Sequence, residues 1–137
     1  MALKNFISEN DRLYQSFGMQ LEEAREGYAK VSALVRDDFL NAYGVAHGAL
    51  VFALADVSFA IAAATLTDSL AVQWSMNMFR PALEGDTIVA ESEVIHRGQT
   101  IMVVEFSLRK GDGQLVARGQ ATSIPVDIKR FGKNASD

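Results

Sequence analysis

The sequence of 137 residues predicts a single α+β domain in which about six mostly antiparallel strands wrap around one long buried helix. One observation is the segment 48–66, the longest apolar stretch of the chain, whose length and alanine content are typical of a helix. Another is that four strand-like stretches follow it, separated by turn signals. The chain is also long enough for one hydrophobic core and too short for two.

The residues before the long helix predict a short leading helix and a β-hairpin. Within residues 1–18, apolar side chains recur at helical spacing, and Gly18 is placed to end the run. The recurring residues are Phe6, Ile7, Leu13, Tyr14 and Phe17. From Met19 to Val35 the pattern becomes strand-like, and the pair Glu26-Gly27 predicts a turn between two strands.

The predicted long helix is interrupted by three polar residues, Asp56, Ser58 and Thr65. A membrane span needs about 20 apolar residues, and this segment approaches that length. Its alanine content and its central aspartate nevertheless favour a helix that is buried in protein and apolar on nearly every side.

Four strands are predicted after the helix, at Ala71–Phe79, Thr87–His96, Thr100–Lys110 and Gln114–Val126. The turns between them are marked by Gly85-Asp86, Arg97-Gly98 and Gly111-Asp112-Gly113, and the last of these is a strong hairpin signal. The polar and aperiodic residues 127–137 are expected to form a flexible tail.

Composition excludes several classes of function. The chain has no cysteine, so disulfides, cysteine-bound metals and thiol nucleophiles are excluded. Its net charge of −4 argues against a general nucleic-acid or anionic-membrane surface, since both partners select for basic excess. Residues 1–18 carry Glu9 and Asp11 and lack a signal-peptide core, so we expect a cytoplasmic protein.

Asp56 is the residue that fits the predicted core least. Its neighbours three and four positions away are all Phe or Ala, so no cation on its own helix can pair with it. Burying an unpaired carboxylate is costly or raises its pKa, and such groups concentrate at functional sites. The alternative is that Asp56 faces solvent or caps another backbone segment.

The predicted helix begins at His47-Gly48. The free N–H groups at a helix N-terminus suit an oxygen that becomes negative during acyl transfer, and a glycine lets a substrate approach closely. A glycine at a helix start is equally a turn device, and a lone histidine is commonly structural.

Gly48 and Asp56 are separated by roughly 12 Å along a helix, so they cannot both contact one carbonyl carbon of a shared substrate. If both act on it, they come from two chains of a symmetric dimer.

The stretch 41–60, N-A-Y-G-V-A-H-G-A-L-V-F-A-L-A-D-V-S-F-A, resembles the signature N-x-x-G-x-x-H-G-G-x-x-F-x-L-A-D-x-x-F-A of PaaI-type hotdog-fold thioesterases. Phe79-Arg80-Pro81 and Gly85-Asp86 resemble the strand end and turn that follow in that family. The resemblance implies a hotdog fold, hydrolysis of an acyl-CoA thioester, and a homodimer that forms the active site. It also implies that two dimers associate into a homotetramer.

The resemblance assigns a role to each matching residue. Asp56 corresponds to the nucleophile or general base, and Gly48 to the donor of the oxyanion-binding N–H. Asn41 corresponds to the side chain that positions substrate or water, and His47 to the histidine at the helix mouth. Two positions depart from the family: Ala49 replaces a second glycine, and Ala71 stands where some relatives have Ser or Thr. The first departure should have a small effect, and the second leaves the positioning of water open.

An acidic chain that binds coenzyme A needs local cations for its phosphates, and we expect Arg97 as the first candidate, and Arg80 as the second, to supply them. An ordinary solvated role is the alternative for both arginines. On the strand after the helix, Trp74, Met76 and Met78 share one face and are predicted to line the core or an acyl pocket. The reaction is expected to need neither a metal nor a cofactor.

Two other functions remain open at this point. One is hydration or dehydration of an acyl thioester, although His47 and Asp56 lie on opposite sides of the predicted helix. The other is a non-catalytic acyl-CoA-binding regulator, which the fold alone does not exclude. The acyl group itself, whether aryl-acetyl, benzoyl-like or medium aliphatic, is not encoded in any motif of the sequence.

Overall fold

The computed structural model describes residues 2–127 of the chain, and its side chains from residue 5 onward. Apart from Asp127, the predicted tail at 127–137 lies outside the described residues. The elements, in chain order, are α1 (Ala2–Asn10), α2 (Arg12–Ser16), β1 (Gln20–Arg25), β2 (Tyr28–Leu34), a 3-10 turn (Asp37–Phe39), α3 (Gly48–Ala64), β3 (Ser69–Met78), β4 (Thr87–Arg97), β5 (Met102–Lys110) and β6 (Leu115–Pro125).

The six strands form one antiparallel sheet in the order β1-β2-β4-β5-β6-β3. Along the strands, buried apolar residues alternate with exposed polar ones, so the sheet has one apolar face and one charged face. The apolar face packs against α3. The predicted α+β arrangement, with the sheet wrapped around a single long helix, is confirmed.

The helix α3 is buried along most of its circumference because nearly all its residues are apolar. Leu54 and Ile61 on the side of the sheet are fully buried. Ser58 is buried too, and its hydroxyl lies 2.6 Å from the hydroxyl of Ser92 on β4. One stripe of the helix is left uncovered by the sheet; its members, spaced at three or four positions, are Ala49, Phe52, Asp56 and Ala60.

The leading segment is divided into two helices at Asp11. The Asp11 carboxylate accepts a hydrogen bond of 2.9 Å from the Tyr14 N–H and so caps the start of α2. The Asp11 N–H still donates to the Ile7 carbonyl at the end of α1. The aspartate cap is the reason why the single predicted helix is interrupted.

The turns lie where the sequence predicts them. Gly27, Gly85 and Gly113 adopt φ values of 73°, 89° and 93°, which favour glycine strongly. Gly119 on β6 has a different role, because a Cβ atom there would lie 2.0 Å from the Ser75 carbonyl oxygen on β3. The pairing of β6 with β3 therefore requires a glycine at this position.

Within residues 2–127, no helix is long and apolar enough to cross a membrane.

Candidate active site

The backbone N–H groups at the N-terminus of α3 differ in their partners. The Nδ1 atom of His47 accepts a hydrogen bond of 2.9 Å from the Ala49 N–H, and the His47 carbonyl accepts from the Leu50 and Val51 N–H groups. The Gly48 N–H meets no acceptor in the described part of the chain. This free donor carries the partial positive charge of the helix N-terminus.

A cleft of about 320 Å³ opens beside this donor. Gly48, Asn41, Met78 and Arg80 line it together with apolar residues, namely Val45, Ala46, Val51, Phe79, Pro81, Ala82 and Val116. A Cβ atom at Gly48 would lie 3.4 Å from the Met78 Cε atom, which is ordinary contact distance. The glycine therefore keeps open the space between the helix end and Met78.

Asn41 shapes the loop that leads into α3. Its Oδ1 atom accepts hydrogen bonds from the N–H groups of Tyr43 and Val45, at 2.9 and 3.3 Å. Its side-chain amide nitrogen has no acceptor among residues 5–127, and the residue lines the cleft. The amide N–H groups of Asn41 can therefore donate to a bound molecule.

Asp56 lies on the uncovered stripe of α3, in the middle of the helix, and is half-buried. Its carboxylate has no hydrogen-bond or ion-pair partner in the described structure. Burial raises the pKa of Asp56 above its ordinary value, and the negative charge of Asp11 raises it further. An unpaired carboxylate of this kind has the properties of a base or a nucleophile.

A single chain does not bring the predicted catalytic residues together. Gly48 and Asp56 stand on the same rigid helix, eight positions apart, and are thus separated by roughly 12 Å along its axis. Gly48, Asn41 and His47 gather at the start of the helix, and Asp56 lies two turns further on.

The residues predicted to share one face of β3 have different surroundings. Trp74 packs in an aromatic cluster with Phe52, Phe59 and Phe106, at centroid distances of 4.8, 5.3 and 5.5 Å. Met78, at the end of the strand, is 51% exposed and lines the cleft. Trp74 therefore belongs to the core and supports Phe52 beside Asp56, whereas Met78 is available to a ligand.

The two arginines lie at opposite ends of α3. Arg80 lines the cleft at the N-terminus and is exposed. Arg97 donates a hydrogen bond of 3.3 Å to the Leu66 carbonyl, just beyond the C-terminus of the helix, and lines a separate cleft of about 410 Å³. The helix has 17 residues and is thus roughly 25 Å long, so one chain cannot place both arginines beside Gly48.

Asp11 is a candidate that the sequence does not reveal. Its charge adds to the raised pKa of Asp56, and no motif or spacing in the sequence connects the two residues. The structure shows no cluster of His, Asp or Glu side chains suited to a metal ion among residues 2–127.

Comparison with known proteins identifies the family. The model of the thioesterase superfamily matches residues 43–117, which include Gly48 and Asp56. A putative esterase of Archaeoglobus fulgidus is 31% identical over 126 residues, covering 91% of this chain and 82% of the relative.

The acyl-coenzyme A thioesterase PaaI of Escherichia coli is 30% identical over 119 residues, covering 85% of each protein. The solved structure of E. coli PaaI superposes with a TM-score of 0.87 at 27% identity, covering 90% of this chain and 91% of that one. The structure of smu.793 from Streptococcus mutans, solved bound to acetyl-CoA, has a TM-score of 0.74 at 29% identity and covers 79% of this chain and 88% of that one. The chain therefore belongs to the thioesterase superfamily and is a thioester hydrolase with the hotdog fold of the PaaI type.

Proposed function

We propose that this protein hydrolyses acyl- or aryl-acyl-CoA thioesters to the free acid and coenzyme A, at a site shared by two copies of the chain. The observation that carries the proposal is a pair of groups on α3, the Gly48 N–H and the Asp56 carboxylate, which have no hydrogen-bond or ion-pair partner within the described part of the chain. Support for coenzyme A as the thiol comes from the E. coli relative, which is an acyl-CoA thioesterase, and from the acetyl-CoA complex of the S. mutans protein.

In the proposed reaction, the thioester carbonyl oxygen accepts a hydrogen bond from the Gly48 N–H, which stabilises the negative charge that develops on it. The partner's Asp56 either attacks the carbonyl carbon or removes a proton from an attacking water. The C–S bond breaks, and the thiolate of coenzyme A leaves and is protonated. In the first route, the acyl–Asp56 anhydride that forms is then hydrolysed by water, which releases the acid and restores the carboxylate. Either route consumes one water and yields one acid and one thiol. Asn41 and His47 hold the substrate or the water at the helix mouth.

The free edge of the sheet supports the dimer that this mechanism needs. β3 is ten residues long, and no strand among residues 2–127 pairs with its outer edge. Exposed apolar side chains accompany it, namely Leu70, Val72, Met78 and Phe79. An unpaired strand of this length is a template for another strand. We propose that two β3 strands pair about a twofold axis, which brings the two α3 helices side by side, and that two such dimers form the tetramer.

The phosphates of coenzyme A are assigned first to Arg80, because it lines the same cleft as Gly48. Arg97 of the same chain is too distant, since it lies at the far end of α3. The partner's Arg97 is the second candidate, because in the proposed dimer it lies beyond the partner's Asp56 along that helix.

The decisive test is Asp56→Asn, assayed by thiol release from a panel of acyl-CoAs that includes aryl-acetyl and medium-chain aliphatic groups. The amide is neither a nucleophile nor a base, so kcat should fall by about a hundredfold to ten-thousandfold. A thermal melt and a sizing column should show an intact fold and assembly, because the amide has nearly the same shape. Asp37→Asn, at an exposed position away from the cleft, is the matched control and should retain full activity.

A variant Asp56→Asn that keeps more than roughly a tenth of the wild-type kcat would contradict the catalytic role of Asp56. A wild-type protein that binds acyl-CoA and releases no thiol from any member of the panel would instead favour the regulatory alternative.

A further inference from the structure

The helix α3 carries two polar side chains, Asp56 and Ser58, among residues that are otherwise apolar. Each residue of a helix is turned by about 100° from the one before it, so a separation of two positions places these side chains on roughly opposite sides of the axis. Asp56 belongs to the stripe that the sheet leaves uncovered, whereas Ser58 faces the sheet and is fully buried. The direction in which Ser58 points therefore also determines the direction in which Asp56 points.

Two hydrogen bonds join Ser58 to β4, an interior strand of the sheet. The Ser58 hydroxyl donates to the Ala55 carbonyl at 3.1 Å, and the Ser92 hydroxyl of β4 lies 2.6 Å from the same Ser58 oxygen. A hydroxyl has only one proton to donate, so Ser92 is the donor of the second bond. The two bonds link β4 to the Ala55 carbonyl, which belongs to the peptide group that joins Ala55 to Asp56.

The bond between Ser58 and Ser92 is the directional contact between this helix and the sheet. No other hydrogen bond within residues 2–127 joins the helix Gly48–Ala64 to a strand. The remaining contacts with the sheet are apolar and have no preferred direction, and a helix that is apolar on nearly every side specifies its own rotation only weakly. Any other rotation would leave the buried Ser92 hydroxyl without its acceptor, which is costly.

We propose that Ser58 and Ser92 are positioning residues of the active site, which fix the rotation of α3 about its axis and thereby hold the Asp56 carboxylate toward the uncovered side, where the substrate binds in the proposed dimer. This inference rests on the proposed function of Asp56. Neither serine contacts the thioester, since both are buried between helix and sheet, and both act through Asp56. A shift of about 1 Å in a reacting group can lower a rate by roughly a hundredfold, so a bond remote from the substrate can control kcat.

Three variants separate positioning from stability. Ser58→Ala leaves the Ser92 hydroxyl without an acceptor and should lower Tm. Ser92→Ala keeps the bond from Ser58 to the Ala55 carbonyl, and the double variant removes both hydroxyls, so in these two Tm should lie closer to that of the wild type. The link to β4 is absent from all three, so kcat should fall by about tenfold or more in each. KM should stay within about twofold, because the cleft beside Gly48 is unaltered.

The rotation of the helix can be read in the full-length protein by NMR, without any assay of activity. Trp74 is the only tryptophan of the sequence, so its indole N–H gives a single signal in a ¹H–¹⁵N spectrum. The indole packs against Phe52 and Phe59 of α3, at centroid distances of 4.8 and 5.3 Å. A rotation of α3 changes these contacts, so the indole signal should shift in all three variants.

Ser123→Ala is the matched control. Ser123 on β6 is as fully buried as Ser58, and its hydroxyl donates to the Met102 carbonyl of β5 at 3.5 Å. This bond joins two strands and does not involve α3. The control should therefore leave both kcat and the indole signal at their wild-type values.

A double variant that regains the wild-type kcat together with its Tm would overturn the proposal, because the pair would then act through stability alone. An indole signal that is unshifted in all three variants would also overturn it, since the helix would keep its rotation without the bond. Full activity in Asp56→Asn would mean failure of the proposed function. That result is distinguishable from failure of this inference, because the indole signal reports the rotation of α3 independently of the reaction.

Discussion

The two ends of α3 are built in opposite ways. At the C-terminus, the Thr65 hydroxyl donates to the Ala62 carbonyl and accepts from the Gly27 N–H, at 2.7 and 2.8 Å. The Leu66 N–H donates to the Ala63 carbonyl, and Arg97 donates to the Leu66 carbonyl. At the N-terminus, in contrast, the Gly48 N–H faces a cleft without an acceptor in the described chain.

The difference shows which end is closed by the chain itself and which end is accessible to a ligand. The last carbonyl groups of a helix carry partial negative charge, and the Arg97 guanidinium complements it. The first N–H groups carry partial positive charge and are a ready site for an anionic oxygen. The chain thus closes one end of α3 with its own side chains, and within residues 2–127 it offers no acceptor to the Gly48 N–H at the other end.

The largest difference between the two ends is expected when the arginine at each end is replaced by alanine: one variant should change KM, and the other should change the free energy of unfolding. Arg80→Ala should raise KM for acyl-CoA by about tenfold, because it loses a charge-assisted hydrogen bond worth roughly 1.5 kcal/mol. KM for a short thioester that lacks the nucleotide should not change. Arg97→Ala, the matched variant, should lower the free energy of unfolding by about 0.3–1 kcal/mol through the loss of its contact with the helix end.

Steady-state kinetics with both thioesters decide the outcome. Equal effects of Arg80→Ala on the long and the short substrate would remove Arg80 from the phosphate site. A rise in KM for acyl-CoA in Arg97→Ala would place the partner's Arg97 on the nucleotide.

Thr65→Val should weaken the closed end without affecting the chemistry. Valine has nearly the same shape but leaves the Gly27 N–H without its acceptor, so the free energy of unfolding should fall by about 1–3 kcal/mol. Urea denaturation measures the loss, and kcat should stay at the wild-type value. Thr67→Val at the same end is the control, within about 0.5 kcal/mol of wild type. A large loss of kcat in folded Thr65→Val would show that the two ends are not independent.

The smallest effect is expected for Ala49→Gly, which restores the second glycine of the family signature. The Ala49 N–H is already bonded to His47, so this position offers no free donor to a substrate. The free energy of unfolding should fall by at most about 1 kcal/mol through the lower helix propensity of glycine, and kcat/KM should stay within about twofold. A larger change in kcat/KM would indicate that the N–H of residue 49 takes part in the reaction.

The elements were predictable because local signals mark them. Turn glycines separate the strands, and the length and alanine content of residues 48–66 are typical of a buried helix. Where the bounds differ, a side chain explains the difference: α3 ends at Ala64 instead of Leu66 because the Thr65 hydroxyl bonds back to the Ala62 carbonyl.

The candidate site was predictable only in part. The motif locates Gly48 and Asp56, and the spacing within a helix gives their separation. The contact of Arg97 with Leu66 is tertiary, because residues far apart in sequence meet through packing. No local pattern of residues encodes such encounters.

The position of β3 at the edge of the sheet has a consequence for folding. Its partner is β6, the last strand, and β4 and β5 lie between the two in sequence. Pairings between distant segments form slowly, since the intervening chain must first be ordered. During synthesis, α3 emerges with both Gly48 and Asp56 long before β6 can pair with β3. Met78 and Arg80 reach the cleft only after that pairing, so a nascent chain without β6 contains Gly48 and Asp56 and lacks the finished cleft.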